Sequence, residues 1–136
     1  ICEVTLNTSK LQWVMEGQPV MRHLRDFEKK YSGEKEIFCL FISPRIHNDT
    51  YSQFWIAVKY EYDGIPQKIV PLTTEQFALL ISVAIMDLKE KTGFSHRKFL
   101  DLFNRIVNET RNLNSFSQWI KRISEILKKM RKKTKK

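Results

Sequence analysis

The stretch Ile37-Phe38-Cys39-Leu40-Phe41-Ile42 is six apolar residues without a break, closed by Pro44. A half-exposed strand alternates apolar and polar residues, so an unbroken run of this length predicts a strand covered on both faces. Helical patterns stand on either side of it, as such a strand requires. Upstream, Val20, Leu24, Phe27 and Tyr31 recur at helical spacing behind Gly17-Gln18-Pro19, where proline suits a first helical turn, and Ser32-Gly33 ends the helix. Before that helix, Ile1-Cys2-Glu3-Val4-Thr5-Leu6 reads as a strand and Asn7-Thr8-Ser9-Lys10 as a turn or loop.

Downstream, Tyr51, Phe54, Trp55 and Val58 have helical spacing, with Asn48 or Asp49 as the expected cap. Asp63-Gly64 and Pro66 mark a loop, and Lys68-Ile69-Val70 a short strand. Thr73-Thr74-Glu75-Gln76 is a capping box, since the Thr73 hydroxyl can accept from the Gln76 N–H while Gln76 reaches back. The helix it opens, Glu75 to about Glu90, is apolar on most sides and is expected deep in the core; Thr92-Gly93 ends it. Two more helices are predicted near Ser95–Glu109 and Ser115–Met130, the second with Phe116, Trp119, Ile120, Ile123, Leu127 and Met130 on one face. Strands joined by helices imply parallel pairing, so the expected class is α/β: a mixed sheet flanked by helices, with extra C-terminal helices.

At 136 residues the chain suits one domain, burying roughly two-thirds of its unfolded surface. Residues 1–90 are expected to form the core and 91–127 a helical extension, with a disordered basic tail over 128–136. The opening on Ile1, already inside a strand, is expected for a piece of a longer protein. Two cysteines, Cys2 and Cys39, make no disulfide framework and read as small core residues in a reducing, cytoplasmic setting. No apolar stretch reaches the ~18–20 residues of a membrane span.

The formal charge of +9 is unevenly placed. Residues 121–136 hold nine Lys or Arg against Glu125, a net of +8, which leaves +1 for residues 1–120. A tail of this kind is attracted to phosphates without reading bases, or it is simply a solubilising end. His23, His47 and His96 lack zinc-ligand spacing, and there is no glycine-rich phosphate loop. Trp13, Trp55 and Trp119 can stack on bases, but core packing accounts for them more simply.

Two carboxylates carry the chemistry. Glu3 stands among apolar and small strand residues, sharing a face with Thr5 opposite Val4, and burying a carboxylate is costly unless it is paired or binds a cation. Glu16 sits beside a helix start, where the dipole favours negative charge. Together they can share a hard cation such as Mg²⁺, which activates water and stabilises charge on a phosphoryl oxygen. On spacing alone, an edge Glu3 and a capping Glu16 are the plainer alternative.

Glu3-Val4-Thr5, Gln12 and Glu16-Gly17-(x)2-Val20-(x)-Arg22-His23-Leu24, with Ile69-Val70-Pro71-Leu72-Thr73-Thr74-Glu75-Gln76-Phe77 further on, resemble type IIS restriction endonucleases of the PD-(D/E)xK superfamily. The resemblance is closest to the AlwI-like group, in particular to the large, strand-nicking subunit of its heterodimeric members, and runs from Ile1 to about Leu80. It implies the C-terminal part of a Mg²⁺-dependent nuclease domain that cuts double-stranded DNA outside its recognition site, leaving 5′-phosphate and 3′-hydroxyl ends. It also implies a second nuclease subunit as partner and inactivity of this piece alone. Residue by residue, it makes Glu3 a catalytic metal ligand, Val4 a metal ligand through its backbone carbonyl, and Glu16 the additional catalytic acid. Gln12, Arg22 and His23 become candidates for the DNA backbone or for supporting the site. Thr5 stands where the superfamily has lysine, and Lys10 is a remote substitute. The superfamily's aspartate on an earlier strand has no counterpart here. A non-catalytic DNA-binding or subunit-association module acting through the basic C-terminal helix is the competing expectation.

Overall fold

The computed structural model describes residues 1–31, 33–89 and 96–133, with side chains described as far as Met130. Three strands, β1 (Cys2–Val4), β2 (Cys39–Ser43) and β3 (Ile69–Thr73), alternate with helices α1 (Gln18–Lys30) and α2 (Asn48–Lys59). Three further helices follow: α3 (Thr74–Lys89), α4 (His96–Glu109) and α5 (Phe116–Lys133). The sheet order is β1-β2-β3 and both pairings are parallel. The α/β expectation holds. Residues 134–136 of the basic end, and the Thr92-Gly93 stop, lie outside the described residues.

Register places Glu3 beside Phe41 and Phe41 beside Pro71 on one face, with Val4, Ile42 and Leu72 on the other. Phe54 of α2 meets Phe41 edge-on at 5.0 Å, so α2 covers the Glu3 face. The side chains of Cys39, Phe41 and Ile42 are buried, as the unbroken apolar run requires. A single core joins Leu24 of α1, Phe54 of α2, Ile69 and Leu72 of β3, and Trp119, Ile123 and Leu127 of α5.

Several boundaries differ from expectation for identifiable reasons. β3 runs through Pro71 rather than stopping at Val70. Cys39 N donates to the Lys68 carbonyl, so residues 68, 70 and 72 face β2 and the Pro71 nitrogen points off the open side of β3, where no ladder bond is lost. The helical path around α1 begins earlier than Pro19, in a π-helical turn over Trp13–Gly17 that runs straight into it. His47 caps α2, its Nδ1 accepting from Asp49 N at 3.2 Å, in place of Asn48 or Asp49. Cys2 is exposed rather than buried, because it lies on an edge strand whose outer face has no cover among the described residues.

The helix opened by the capping box is also shallower than its composition suggests. The box itself forms, with Gln76 N on Thr73 Oγ1 at 3.2 Å and Thr73 N on Gln76 Oε1 at 2.9 Å. Yet α3 buries Leu80, Val83 and Asp87 and leaves Ile81, Ile85 and Leu88 exposed. A helix lying on a sheet covers one stripe, and apolar residues elsewhere on it stay bare unless something else reaches them.

α4 and α5 are joined by Trp119 Nε1 donating to the Ile106 carbonyl at 3.0 Å, and by Arg122, which donates to Glu109 at 2.9 Å and Glu125 at 3.0 Å. The Arg122 hydrogen bond holds the Glu109 carboxyl below its ordinary value of 4.5. A carboxylate favoured by the fold adds stability that is complete above its unfolded pKa and is lost as pH falls through the lower folded one. The melting-temperature gap between wild type and Glu109→Gln is therefore expected to close as pH drops below the ordinary carboxylate range. A gap unchanged in acid would contradict this account of the helix pair.

Candidate functional site

β1 is three residues long and has a neighbour on one side only among the described residues. Leu40 N donates to the Ile1 carbonyl and Thr5 N to the Ile42 carbonyl, so odd-numbered residues of β1 face β2. The alternation turns the Val4 N–H and C=O outward from the sheet. Val4 is 66 % exposed. The Glu3 side chain rises from the face covered by α1 and α2, and it is half-buried with its Oε1 3.4 Å from His23 Nδ1 on α1. At that distance the pair is a long, weak contact that a small shift of the exposed His23 ring would shorten.

Thr5 does not stand in for a lysine. It is buried, and its Oγ1 accepts from Asn7 N at 3.0 Å, closing the loop that leaves β1. Lys10 is exposed in that loop. Ser9 Oγ and Ser9 N both bond Asn7 Oδ1, so the loop is held by its own side chains.

Glu16 lies in the π-helical turn, half-buried, and enters no hydrogen bond or ion pair among the described residues. The turn is packed tightly from below. A Cβ on Gly17 would lie 2.6 Å from Trp13 Cε3 and 3.3 Å from Thr50 Cγ2, so glycine alone lets the turn settle on α2. Trp13 meets Phe54 edge-on at 6.3 Å. Short π-helical segments are uncommon and recur at functional sites.

Gln12 departs most from expectation. It is fully buried at the start of the π turn, and its amide is used up inside the protein. The two Nε2 hydrogens are shared among the Asn7 carbonyl, Ser43 Oγ at 3.0 Å and the Arg45 carbonyl at 2.9 Å, while Oε1 accepts from His47 N at 2.8 Å. Nothing is left to offer DNA. This corrects the reading of Gln12 as a backbone-contacting or exposed loop residue. Nothing local in the sequence marked its burial, since the neighbouring Leu11 is itself exposed.

Arg22 is exposed on α1 and lines a cleft of about 480 Å³ with Arg25, Asp26, Lys29, Tyr62 and Asp63. Arg25, invisible to sequence reasoning as a charged residue of a polar helix face, is buried. It donates to Glu28 at 2.6 Å and to the Tyr62 and Ile65 carbonyls, pinning the loop that Asp63 and Gly64 turn with positive φ. Trp13, Trp55 and Trp119 are committed to packing against Phe54 and each other.

The structure thus brings Glu3 and His23 together and leaves Val4's carbonyl open beside them. It does not join Glu16 to Glu3, and no group of three His, Cys, Asp or Glu side chains among the described residues is placed to hold a metal ion. Nor is any helix among them long and apolar enough to cross a membrane.

Among curated proteins, none matches the chain by sequence. The chain is similar in structure to the small subunit (R.BspD6I2) of the heterodimeric restriction endonuclease R.BspD6I, with a TM-score of 0.67 at 21 % identity. The similarity covers 93 % of this chain and 60 % of that one, so the chain spans less than two-thirds of the neighbour's length. At this identity the likeness establishes the fold. The profile of the AlwI restriction endonuclease family matches residues 1–80, the stretch that holds all three strands, the π-helical turn and the capping box. The chain belongs to the AlwI restriction endonuclease family.

Proposed function

We propose that this chain is part of the catalytic domain of a type IIS restriction or nicking endonuclease, hydrolysing DNA phosphodiester bonds with Mg²⁺ outside the recognition site. The observation that carries the reading is a half-buried carboxylate, Glu3, on the open edge of the sheet beside an outward carbonyl at Val4, in a chain of this family. Both are hard oxygen donors, and Mg²⁺ takes one or two protein ligands and keeps several waters. The donor set fits as part of a site. A further acidic ligand, on a strand paired with the edge of β1 that is open among the described residues, would complete it.

When bound, the cation supplies an activated water and neutralises charge on the phosphate. The chain's own residues do the rest. Glu3 and Val4 bind and orient the ion, and His23 steadies the Glu3 carboxylate from α1 while remaining exposed to the DNA backbone. Glu16, without a hydrogen bond or ion pair among the described residues, is available to the same site and takes the place of the absent lysine. Arg22, beside His23 in sequence and exposed, offers a charge to phosphate.

A heterodimer partner supplies the second cut in this reading, and the enzyme is cytoplasmic. The large-subunit assignment rests on the sequence resemblance; the similar solved structure is a small subunit. As the large subunit, the full-length parent is expected to nick one strand by itself. The competing DNA-binding or association module draws on exposed Lys121, Lys128 and Lys129 of α5, which have no ion pair among the described residues.

The test is supercoiled plasmid bearing the recognition site, incubated with the full-length parent, with and without the partner subunit. Nicked or linear product in Mg²⁺, and none in excess chelator, is the expected result. Retention of the plasmid on the protein with no strand broken in any divalent metal would favour the module reading.

A further inference from the structure

Among the described residues of the protein's first third, the Gln12 side chain has the most hydrogen-bond partners, and Glu3, Glu16 and His23 are not among them. Its amide joins four separate places: the Asn7 carbonyl after β1, Ser43 at the end of β2, the Arg45 carbonyl in the following loop, and His47 N at the cap of α2. Ser43 Oγ also donates to the Arg45 carbonyl at 2.9 Å, so the node is cross-braced. A buried amide with every group paired is a rigid object, whereas a partly satisfied one is strongly unfavourable.

The position of this node gives it a purpose. Gln12 is the residue immediately before the π-helical turn Trp13–Gly17, and its own N–H bonds the Ser9 carbonyl at 3.0 Å. Four residues on, the turn carries Glu16. Glu16 itself has no bond within the described residues, so nothing holds its carboxylate directly. Its place relative to β1, which carries Glu3, is therefore set by what holds the turn: Gln12 at one end and the Gly17–Trp13–Thr50 contact at the other. The loop from Asn7 is tied to the same amide that anchors the ends of β2 and the start of α2. One side chain thus fixes the span between the two carboxylates.

We propose that Gln12 is a positioning residue that sets the placement of Glu16 against Glu3. The inference rests on the reading of these two residues as a metal-dependent cleavage site. It predicts that loosening the node changes how the site takes its cation before it changes how DNA binds.

The experiment uses the full-length parent and three variants: Gln12→Asn, which shortens the reach of the amide; Ser43→Ala, which removes one brace; and Leu127→Ala, a core truncation in α5 far in sequence from the node. Amide hydrogen exchange is followed first, in metal-free protein. Exchange over residues 13–17 is expected to speed up at least tenfold in Gln12→Asn and severalfold in Ser43→Ala, and to stay at the wild-type rate in Leu127→Ala. The Mg²⁺ concentration for half-maximal nicking is then expected to rise fivefold or more in Gln12→Asn and about twofold in Ser43→Ala, with KM for DNA unchanged and no rise in Leu127→Ala. If Gln12→Asn does not fold, Ser43→Ala carries both measurements.

Wild-type exchange and an unmoved Mg²⁺ midpoint in the node variants would overturn the proposal. So would an equal rise in Leu127→Ala, since the effect would then be general loosening. If instead Glu16→Gln nicks as wild type, the underlying reading of the site fails. A dead Glu16→Gln alongside node variants with wild-type midpoints rejects the positioning role alone.

Discussion

Trp119→Ala is expected to lower stability by about 3–5 kcal/mol, the range for emptying a large buried aromatic site. Trp119 is fully buried and stands where three helices meet. Its ring centroid lies 5.9 Å from that of Trp55 on α2, and its Nε1 reaches the Ile106 carbonyl of α4. Truncation leaves a void among Trp55, Ile106 and Ile123 that well-packed helices collapse into only partly. For a domain of this size the loss corresponds to a fall in Tm of roughly 10–15 °C. Trp119→Phe keeps most of the area and the contact with Trp55 but gives up the Nε1 hydrogen bond, and about 1–2 kcal/mol is expected for it. Equilibrium denaturation of the two variants checks the pair. A Trp119→Ala protein as stable as wild type would mean that α5 is not part of the core.

Much of this architecture is written in short, local patterns. The run from Ile37 to Ile42 points to a covered strand because apolar side chains on both faces favour cover on both; Cys39–Ile42 fall in β2, with Cys39, Phe41 and Ile42 buried, while Ile37 and Phe38 precede it half-buried. Thr73 and Gln76 declare the start of α3 because both halves of the capping box lie within four residues. Features set by partners distant in sequence were not legible. Gln12 is buried because Ser43, Arg45 and His47, more than thirty positions away, meet its amide. Arg25 is buried because two carbonyls of the 60–66 loop close over it. The π-helical turn has neither the 3.6- nor the 2-residue period and so left no mark in the pattern. α3 misled in the opposite direction, since apolar residues on all sides do not say which side the sheet covers.

The candidate site divides in the same way. Glu3 and Val4 were readable because strand alternation fixes their faces, and His23 reaches Glu3 because α1 returns alongside β1. How near Glu16 comes to Glu3 depends on the loop and turn between them, which strand alternation does not fix.

The second large effect concerns these carboxylates. In the proposed site, removing either carboxylate would take away both the placement of the cation and the negative charge that balances it, so a loss of at least ~10³-fold in nicking rate is expected for Glu3→Ala, and a comparable loss for Glu16→Ala. Neither variant should unfold the protein. Among the described residues the half-buried Glu3 has a single weak partner and Glu16 has none, so the stability changes should stay within about 1 kcal/mol. The decisive measurement is the initial rate of plasmid nicking by the full-length parent in Mg²⁺, compared between wild type, Glu3→Ala and Glu16→Ala at matched fold content by circular dichroism. The account predicts two folded, DNA-binding proteins that break no strand. Two folded variants nicking at the wild-type rate would contradict it, and the chemistry would have to lie elsewhere.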